Sequence, residues 1–551
     1  MEYLAGWLHL DQAVTWTAVV FVITVFGLAI LQRWWHMGKL ARLGYTGPPR
    51  HLIFGNLKEL GELNGNHRNA WRKLIDKYGS QVGNLEGKSL ALYTGGIPIV
   101  VVTNPEVIKY IGIKNIDNFT NRLFSGLDRD KSLLSIRDDR WRFIRHTLTP
   151  TFSPAKMKLM SETINGVISV TMDIIEEHIK EKKSLNIYRL FHGLTLEVIG
   201  KCALAINIDS QRNPDHPLLA DCIEAFSNFK SNSLGRSFAS IFPSFAIYVR
   251  RILGIRFSSI VPEDDTMLIQ YVRKVIKDRK ANKGSKTVDA LQLMLEAAEI
   301  IASEEIKDGP ATDLNSEVQN GKLKEEKVLQ NGYVSTAKEN KMTEDEVVQN
   351  ATVFLLAGYE TTSTMLSFTC YLLAKNQDVQ QRLYEEIQQH LQSEEEVSYD
   401  SVMQMEYLDM VVNESLRFYP PVADSIIREV KEDCEFEGMK FPADAWIIFP
   451  ISYMHFNEKL WPDPQTFDPE RFHPDRKKNI HVSSFLPFGI GPRKCIGLRF
   501  ALMEGKMALV RLLQRYKLKT CSLTEEDIKT MPGKITLTPQ KLSIYLECVH
   551  R

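Results

Sequence analysis

The sequence has few cysteines, and they are not paired. Its 551 residues carry seven, at Cys202, Cys222, Cys370, Cys434, Cys495, Cys521 and Cys548. An odd, scattered set excludes the disulfide framework of a small secreted protein and fits a reducing compartment. No C-x-x-C pair occurs, which removes the usual zinc signature. Net charge is also missing: 68 basic residues balance 68 acidic ones, so no global field points to nucleic acid. There is no internal repeat. The chain is 44% hydrophobic, enough for a substantial core, and long enough for one very large domain or two to four ordinary ones.

Two stretches are defined by what they lack. Residues 13–31 (AVTWTAVVFVITVFGLAIL) contain no charge, and that length suffices to span a bilayer. No small-residue cleavage site follows, so the run predicts an anchor over residues 1–32 and not a removable signal. Gln32-Arg33-Trp34-Trp35, then Lys39, Arg42 and Arg50, place the rest of the chain on the cytosolic side. In that topology the sequons at Asn118, Asn350 and Asn413 carry no glycans. Residues 303–342 nearly lack aromatics and are dominated by Glu, Lys, Asn, Asp, Ser and Gly. Such a composition cannot bury enough apolar surface, which predicts a disordered surface insert.

Between these stretches the pattern is mainly helical with a small β region. Residues 33–50, with Gly44-Tyr45-Thr46-Gly47-Pro48-Pro49, read as a stiff linker, and residues 51–551 as the globular domain. Leu90–Tyr93, a Thr94-Gly95-Gly96 turn and Ile99–Val102 predict a hairpin, and Asn104-Pro105 opens a helix. Residues 140–280 carry apolar helical periodicity. Within them Phe238-Ala239-Ser240-Ile241-Phe242-Pro243-Ser244-Phe245 suits either core packing or a membrane surface. Thr343 and Glu346 form a capping box for a helix running to about Ala374. Its apolar centre is interrupted by Gly358, Glu360, Thr361 and Thr362. Mid-helix glycine and a buried carboxylate are both costly, so a ligand against that face or a bend with satisfied hydroxyls would explain them. Residues 542–546 alternate like a strand.

The chemistry concentrates at Phe488-Gly489-Ile490-Gly491-Pro492-Arg493-Lys494-Cys495-Ile496-Gly497, followed by an apolar helix. Glycines permit a tight turn and close approach, and a helix N-terminus favours a thiolate. Alone, Cys495 also suits a small buried hydrophobe. The stretch resembles the haem-binding loop of the cytochrome P-450 (haem-thiolate) superfamily, F-x-x-G-x-R-x-C-x-G, at every fixed position. Trp141-x-x-x-Arg145, Ala357-Gly358-x-Glu360-Thr361, Glu414-x-x-Arg417 and Pro469-Glu470-Arg471-Phe472 occur in the order of the microsomal series. Ala357-Gly358-Tyr359-Glu360-Thr361-Thr362-Ser363 is similar to the drug- and steroid-oxidising clan 3 enzymes. Asn118–Arg122, Ser125-Gly126-Leu127 and Phe152-Ser153-Pro154 are similar to thromboxane synthase of the same clan.

The resemblance implies a triangular-prism fold, with haem b between two long helices. It implies Cys495 as the axial iron ligand, with Phe488, Gly491 and Gly497 shaping the loop around the cofactor. Arg122, Trp141, Arg145, Arg428 and Arg493 would contact the propionates, and planar, permanently charged guanidinium suits that task. Glu360 and Thr361 would be the distal acid–alcohol pair, with Ala357 and Gly358 leaving room above the iron. Glu414, Arg417 and Arg471 would form a buried ion triad. Electrons would come from NADPH through cytochrome P-450 reductase, with cytochrome b5 as a further partner, at the endoplasmic reticulum membrane. Arg140, Arg142, Lys494, Arg499 and Lys506 are the basic residues near the docking side. The expected activity is a monooxygenase acting on a lipophilic small molecule. The alternatives are an endoperoxide isomerase, which the Thr361 hydroxyl argues against, and a non-catalytic haem sensor or carrier.

Overall fold

The computed structural model describes residues 2–62, 70–122, 131–213, 215–228, 266–281, 289–299, 341–391, 393, 397–531 and 534–551. The aromatic segment at 238–245, residues 125–127 and nearly all of the 303–342 insert lie outside them. Nine helices carry the functional discussion: α1 (Glu2–Met37), α2 (Asp138–Leu148), α3 (Pro154–Lys180), α4 (Ile187–Leu204), α5 (Pro217–Asn228), α6 (Met267–Ala281), α7 (Glu344–Lys375), α8 (Glu406–Phe418) and α9 (Leu498–Arg515). The strands are β1 (Ser89–Thr94), β2 (Ile97–Val102), β3 (Leu185–Asn186), β4 (Ser425–Glu429), β5 (Cys434–Phe436), β6 (Met439–Phe441), β7 (Trp446–Pro450), β8 (Tyr516–Lys519) and β9 (Tyr545–His550). The architecture is mainly α with small sheets, as expected.

The charge-free run lies within α1, whose Val14–Met37 portion is long and apolar enough to cross a membrane. The helix continues beyond residue 32, and the segment after it is packed against the sheet. Arg33 donates to the carbonyls of Leu52 and Ile53, His36 meets the Gly96 carbonyl, and the Leu40 N–H donates to the Tyr93 hydroxyl. Met37, Leu40 and Tyr45 are buried. Residues 33–50 therefore fix the orientation of α1 on the catalytic body.

The predicted hairpin is β1–β2, paired Ser89↔Val102 to Thr94↔Ile97. It belongs to a four-stranded sheet in the order β1-β2-β7-β4, in which only β2–β7 is parallel. Asn104 caps the following helix by accepting from the Val107 N–H at 3.0 Å. The C-terminal strand begins at Tyr545, later than the alternation at 542–546 suggests. Leu542 takes a left-handed φ of 53°, which breaks the extended run.

Helices α3, α4, α7 and α9 share one apolar core. Helix α7 opens at the expected capping box: the Thr343 N–H donates to Glu346, and the Glu346 N–H donates to the Thr343 hydroxyl at 3.3 Å. Helix α4 lies tightly along α7. A Cβ on Gly358 would stand 2.8 Å from Ile199 Cγ1, and Thr195 donates to the Tyr359 carbonyl at 2.8 Å.

The ion triad forms and is fully enclosed. Arg417 grips Glu414 with Nε and Nη2 at 2.7 and 2.8 Å, and Arg471 Nε approaches Glu414 at 3.5 Å. Arg417 also donates to the His455 carbonyl at 2.8 Å. His455 Nε2 accepts from the Leu486 N–H at 2.9 Å, at the start of the cysteine loop. That acceptor role requires neutral imidazole, and burial together with Arg417 pushes His455 down to about 3. The triad therefore braces the loop through one histidine. Glu414→Ala should cost about 3–5 kcal/mol in denaturant unfolding, because it strands two buried guanidinium groups. Breaking the exposed Arg476–Asp468 pair by Arg476→Ala should cost less than about 1 kcal/mol.

Candidate active site

The cysteine loop is shaped by two left-handed glycines, Gly489 at φ 77° and Gly491 at φ 69°. A Cβ on Gly491 would collide with the Gly112 carbonyl oxygen, so only glycine lets the loop lie against that segment. The Cys495 N–H donates to the Phe488 carbonyl at 2.8 Å, which closes the turn. Gly497 then caps α9. Cys495 keeps exposed surface, while the surrounding protein still desolvates its thiol. Burial pushes its pKa up, while the N–H groups of Gly497 and Leu498 and the charges of Arg145 and Arg122 pull it down. A positive metal on the sulfur would reinforce the second group of effects.

A second open surface lies on α7. Ala357 is exposed and Thr361 half-exposed in the middle of an otherwise buried helix, so this stripe faces open space. The Thr361 hydroxyl donates to the Ala357 carbonyl at 2.7 Å, leaving its lone pairs for an incoming donor. Residues 131–136 tie the cysteine loop to α7. The Leu133 N–H donates to Asn350 on α7 at 2.8 Å, and the Leu133 carbonyl accepts from Arg493 at 3.1 Å.

Around the thiol the structure gathers four arginines from distant parts of the chain. Arg122 donates to the Arg493 carbonyl. Arg493 reaches the carbonyls of Thr120, Leu133 and Ile136, and its guanidinium stacks 4.0 Å over the Trp141 ring. Arg428 is 1% exposed; its Nη1 donates to the Ile427 carbonyl, while Nε and Nη2 are buried and have no partner among the described residues. Burial and then Arg122, Arg428 and Arg145 lower the Arg493 pKa, with Asp138 a weaker offset. Burial and Arg122 lower that of Arg428. Guanidinium does not give up its proton, so these shifts register buried positive charges crowded against one another. A group with two carboxylates fits this cradle, and haem carries two propionates.

Other expected residues are placed differently. Gly358 faces Ile199 of α4, so its missing side chain serves helix packing and not the open space. Glu360 does not point with Thr361, since adjacent helical residues project about 100° apart. It is 5% exposed and faces α4. There it meets His192 Nε2 at 3.1 Å, the Thr536 hydroxyl at 3.1 Å and the Tyr188 hydroxyl at 3.4 Å. These three partners were missed from sequence; a lone histidine in the apolar run 190–196 was the sole signal. Among the basic residues, Arg140 pairs with Glu346, and Arg142 with Asp117 and Asp139. Lys506 is buried against Asp409 at 2.9 Å. Arg140 and Lys506 are held in largely buried pairs, Arg142 is exposed but paired with two aspartates, and Lys494 and Arg499 are exposed.

Comparison with known proteins agrees with this geometry. The family model described as Cytochrome P450 matches residues 46–546. Cytochrome P450 3A29 of Sus scrofa is 33% identical over 534 residues, covering 96% of this chain and 95% of its own. Cytochrome P450 3A5 of Homo sapiens is 33% identical, covering 92% and 91%. Cytochrome P450 3A56 of Fundulus heteroclitus is 30% identical, covering 94% and 95%. Nothing in these matches supports the endoperoxide-isomerase alternative. The chain belongs to the cytochrome P450 family and is a haem-thiolate monooxygenase.

Proposed function

We propose that this monooxygenase oxidises a lipophilic small molecule at the endoplasmic reticulum membrane, as a single-pass protein with its catalytic body in the cytosol. Residues 1–32 are its anchor, 33–50 the junction, and 51–551 the haem domain. The observation that carries the assignment of the site is the Arg122–Arg145–Arg428–Arg493 cradle beside Cys495, with two buried Arg428 nitrogens lacking a partner among the described residues. Bound haem supplies dioxygen activation, using electrons that a redox partner passes on from NADPH.

The chain's own residues have separable tasks. Cys495 ligates iron as thiolate, and the Gly497 and Leu498 N–H groups stabilise its charge. Arg122, Arg145, Arg428 and Arg493 neutralise the propionates, with Trp141 supporting Arg493 from below. Phe488 and Gly491 hold the loop's shape. Ala357 keeps the distal face of α7 low, and Thr361 accepts a hydrogen bond there and hands protons toward the open space. Glu360 takes part in that proton supply from the far side of the helix. Lys494 and Arg499 offer exposed positive charge on the thiolate side to an acidic reductase, and cytochrome b5 suits the same face.

Four measurements check this reading. Arg428→Met should release haem faster, by roughly 10- to 100-fold, because a charge-assisted hydrogen bond contributes about 1.5–3 kcal/mol. The same change should raise the melting temperature of the haem-free protein by removing a buried unpaired charge; a lowered one would count against the cradle. Thr361→Ala should keep haem but consume NADPH without matching product, and unchanged coupling would remove Thr361 from the relay. Lys494→Glu with Arg499→Glu should slow reductase-supported turnover, most at low salt, while Arg142→Glu should not.

A further inference from the structure

The contacts of His192 fix where its protons lie. Its Nδ1 stands 2.6 Å from the Tyr188 carbonyl oxygen, which only accepts, so Nδ1 must carry a hydrogen. Its Nε2 stands 3.1 Å from Glu360 Oε2. With Nδ1 already protonated, that contact is a hydrogen bond only if one further proton lies between imidazole and carboxyl. The pair is imidazolium with carboxylate, or imidazole with carboxylic acid. The remaining contacts decide between them. The other oxygen, Oε1, receives the hydroxyls of Tyr188 and Thr536. Two hydroxyls already donating to one carboxyl oxygen favour the ionised form. Burial raises Glu360, but His192, Thr536 and Lys534 outweigh it and hold it below the ordinary carboxylate range. The other groups packed here are Tyr359, whose ring lies 4.9 Å from His192, Ser363 at 3.4 Å from Nε2, and the thiol of Cys222 on α5. None supplies a second proton to Oε2.

We propose that His192 is a positioning residue that holds the stored proton of this site, so that the resting acid next to Thr361 is the His192–Glu360 pair, with its proton on Nε2. The inference deepens the relay proposed above and rests on it. Delivery is a proton transfer alone: the Nε2–H bond breaks, an Oε2–H bond forms, and no electrons change hands. Neutral Glu360 then no longer has a cation to hold it against α4. It is free to turn from that helix toward the open side of α7. The ion pair is lost as pH falls through Glu360's lowered pKa, and also when alkali removes the imidazolium proton.

Infrared spectroscopy of the resting, substrate-free holoenzyme tests this directly. Near neutral pH the wild type should show no protonated-carboxyl band assignable to residue 360. His192→Gln keeps a donor but removes the charge, so burial prevails and the band appears. It should vanish in His192→Gln/Glu360→Gln and in His192→Lys, which restores a cation. A merely structural histidine would leave the band absent throughout, and that result overturns the proposal. Should His192→Gln fail to fold, wild type compared with Glu360→Gln decides: a residue-360 band in wild type at neutral pH contradicts the stored proton. In turnover His192→Gln should keep haem and NADPH-dependent oxygenation but lose coupling. Absence of oxygenation in the wild type would instead overturn the underlying relay, so the two failures are distinguishable.

Discussion

A buried positive charge must find a negative one, and in this protein four guanidinium groups crowd one place, with the Cys495 sulfur offsetting two of them. Arg122, Arg145, Arg428 and Arg493 come from four separate segments, and Asp138 offsets only Arg493 weakly. Isolated buried charge is among the costliest features a fold can carry. On the proposed reading, a dianionic cofactor completes the cradle and makes it tolerable. The cofactor is in that sense part of the core, and haem binding and folding stability are thermodynamically linked.

The surrounding structure keeps that site in place from both sides. On the thiolate side, the Glu414–Arg417–Arg471 triad reaches the loop through His455 and Leu486. On the distal side, α4 packs into the gap left by Gly358, which sets the height of α7. The same packing brings His192 against Glu360. One helix contact therefore sets both the packing of α7 and the partners of Glu360.

The elements whose causes are local were legible from sequence. The hairpin needed only alternation and a Gly-Gly turn, and the α7 start only Thr343 and Glu346. The cysteine loop needed positive φ at Gly489 and Gly491, which glycine supplies. Features that depend on partners far along the chain were not legible. Arg140 looks like a surface charge until Glu346, roughly two hundred residues away, meets it. Lys506 looks exposed until Asp409 covers it. Glu360 and Thr361 read as a pair because they are adjacent, yet helical geometry sends them to different faces. Gly358 reads as room for a ligand, and is room for Ile199.

The central claim is that Cys495 binds haem iron as a thiolate in a cradle completed by the propionates. The most direct measurement is the absorption spectrum of the reduced protein with carbon monoxide, for wild type and Cys495→His. The account predicts the long-wavelength Soret band of thiolate ligation in the wild type, and its replacement by an imidazole-type band in Cys495→His. An imidazole-type band in the fully folded wild type, or an identical spectrum in the two proteins, would contradict it.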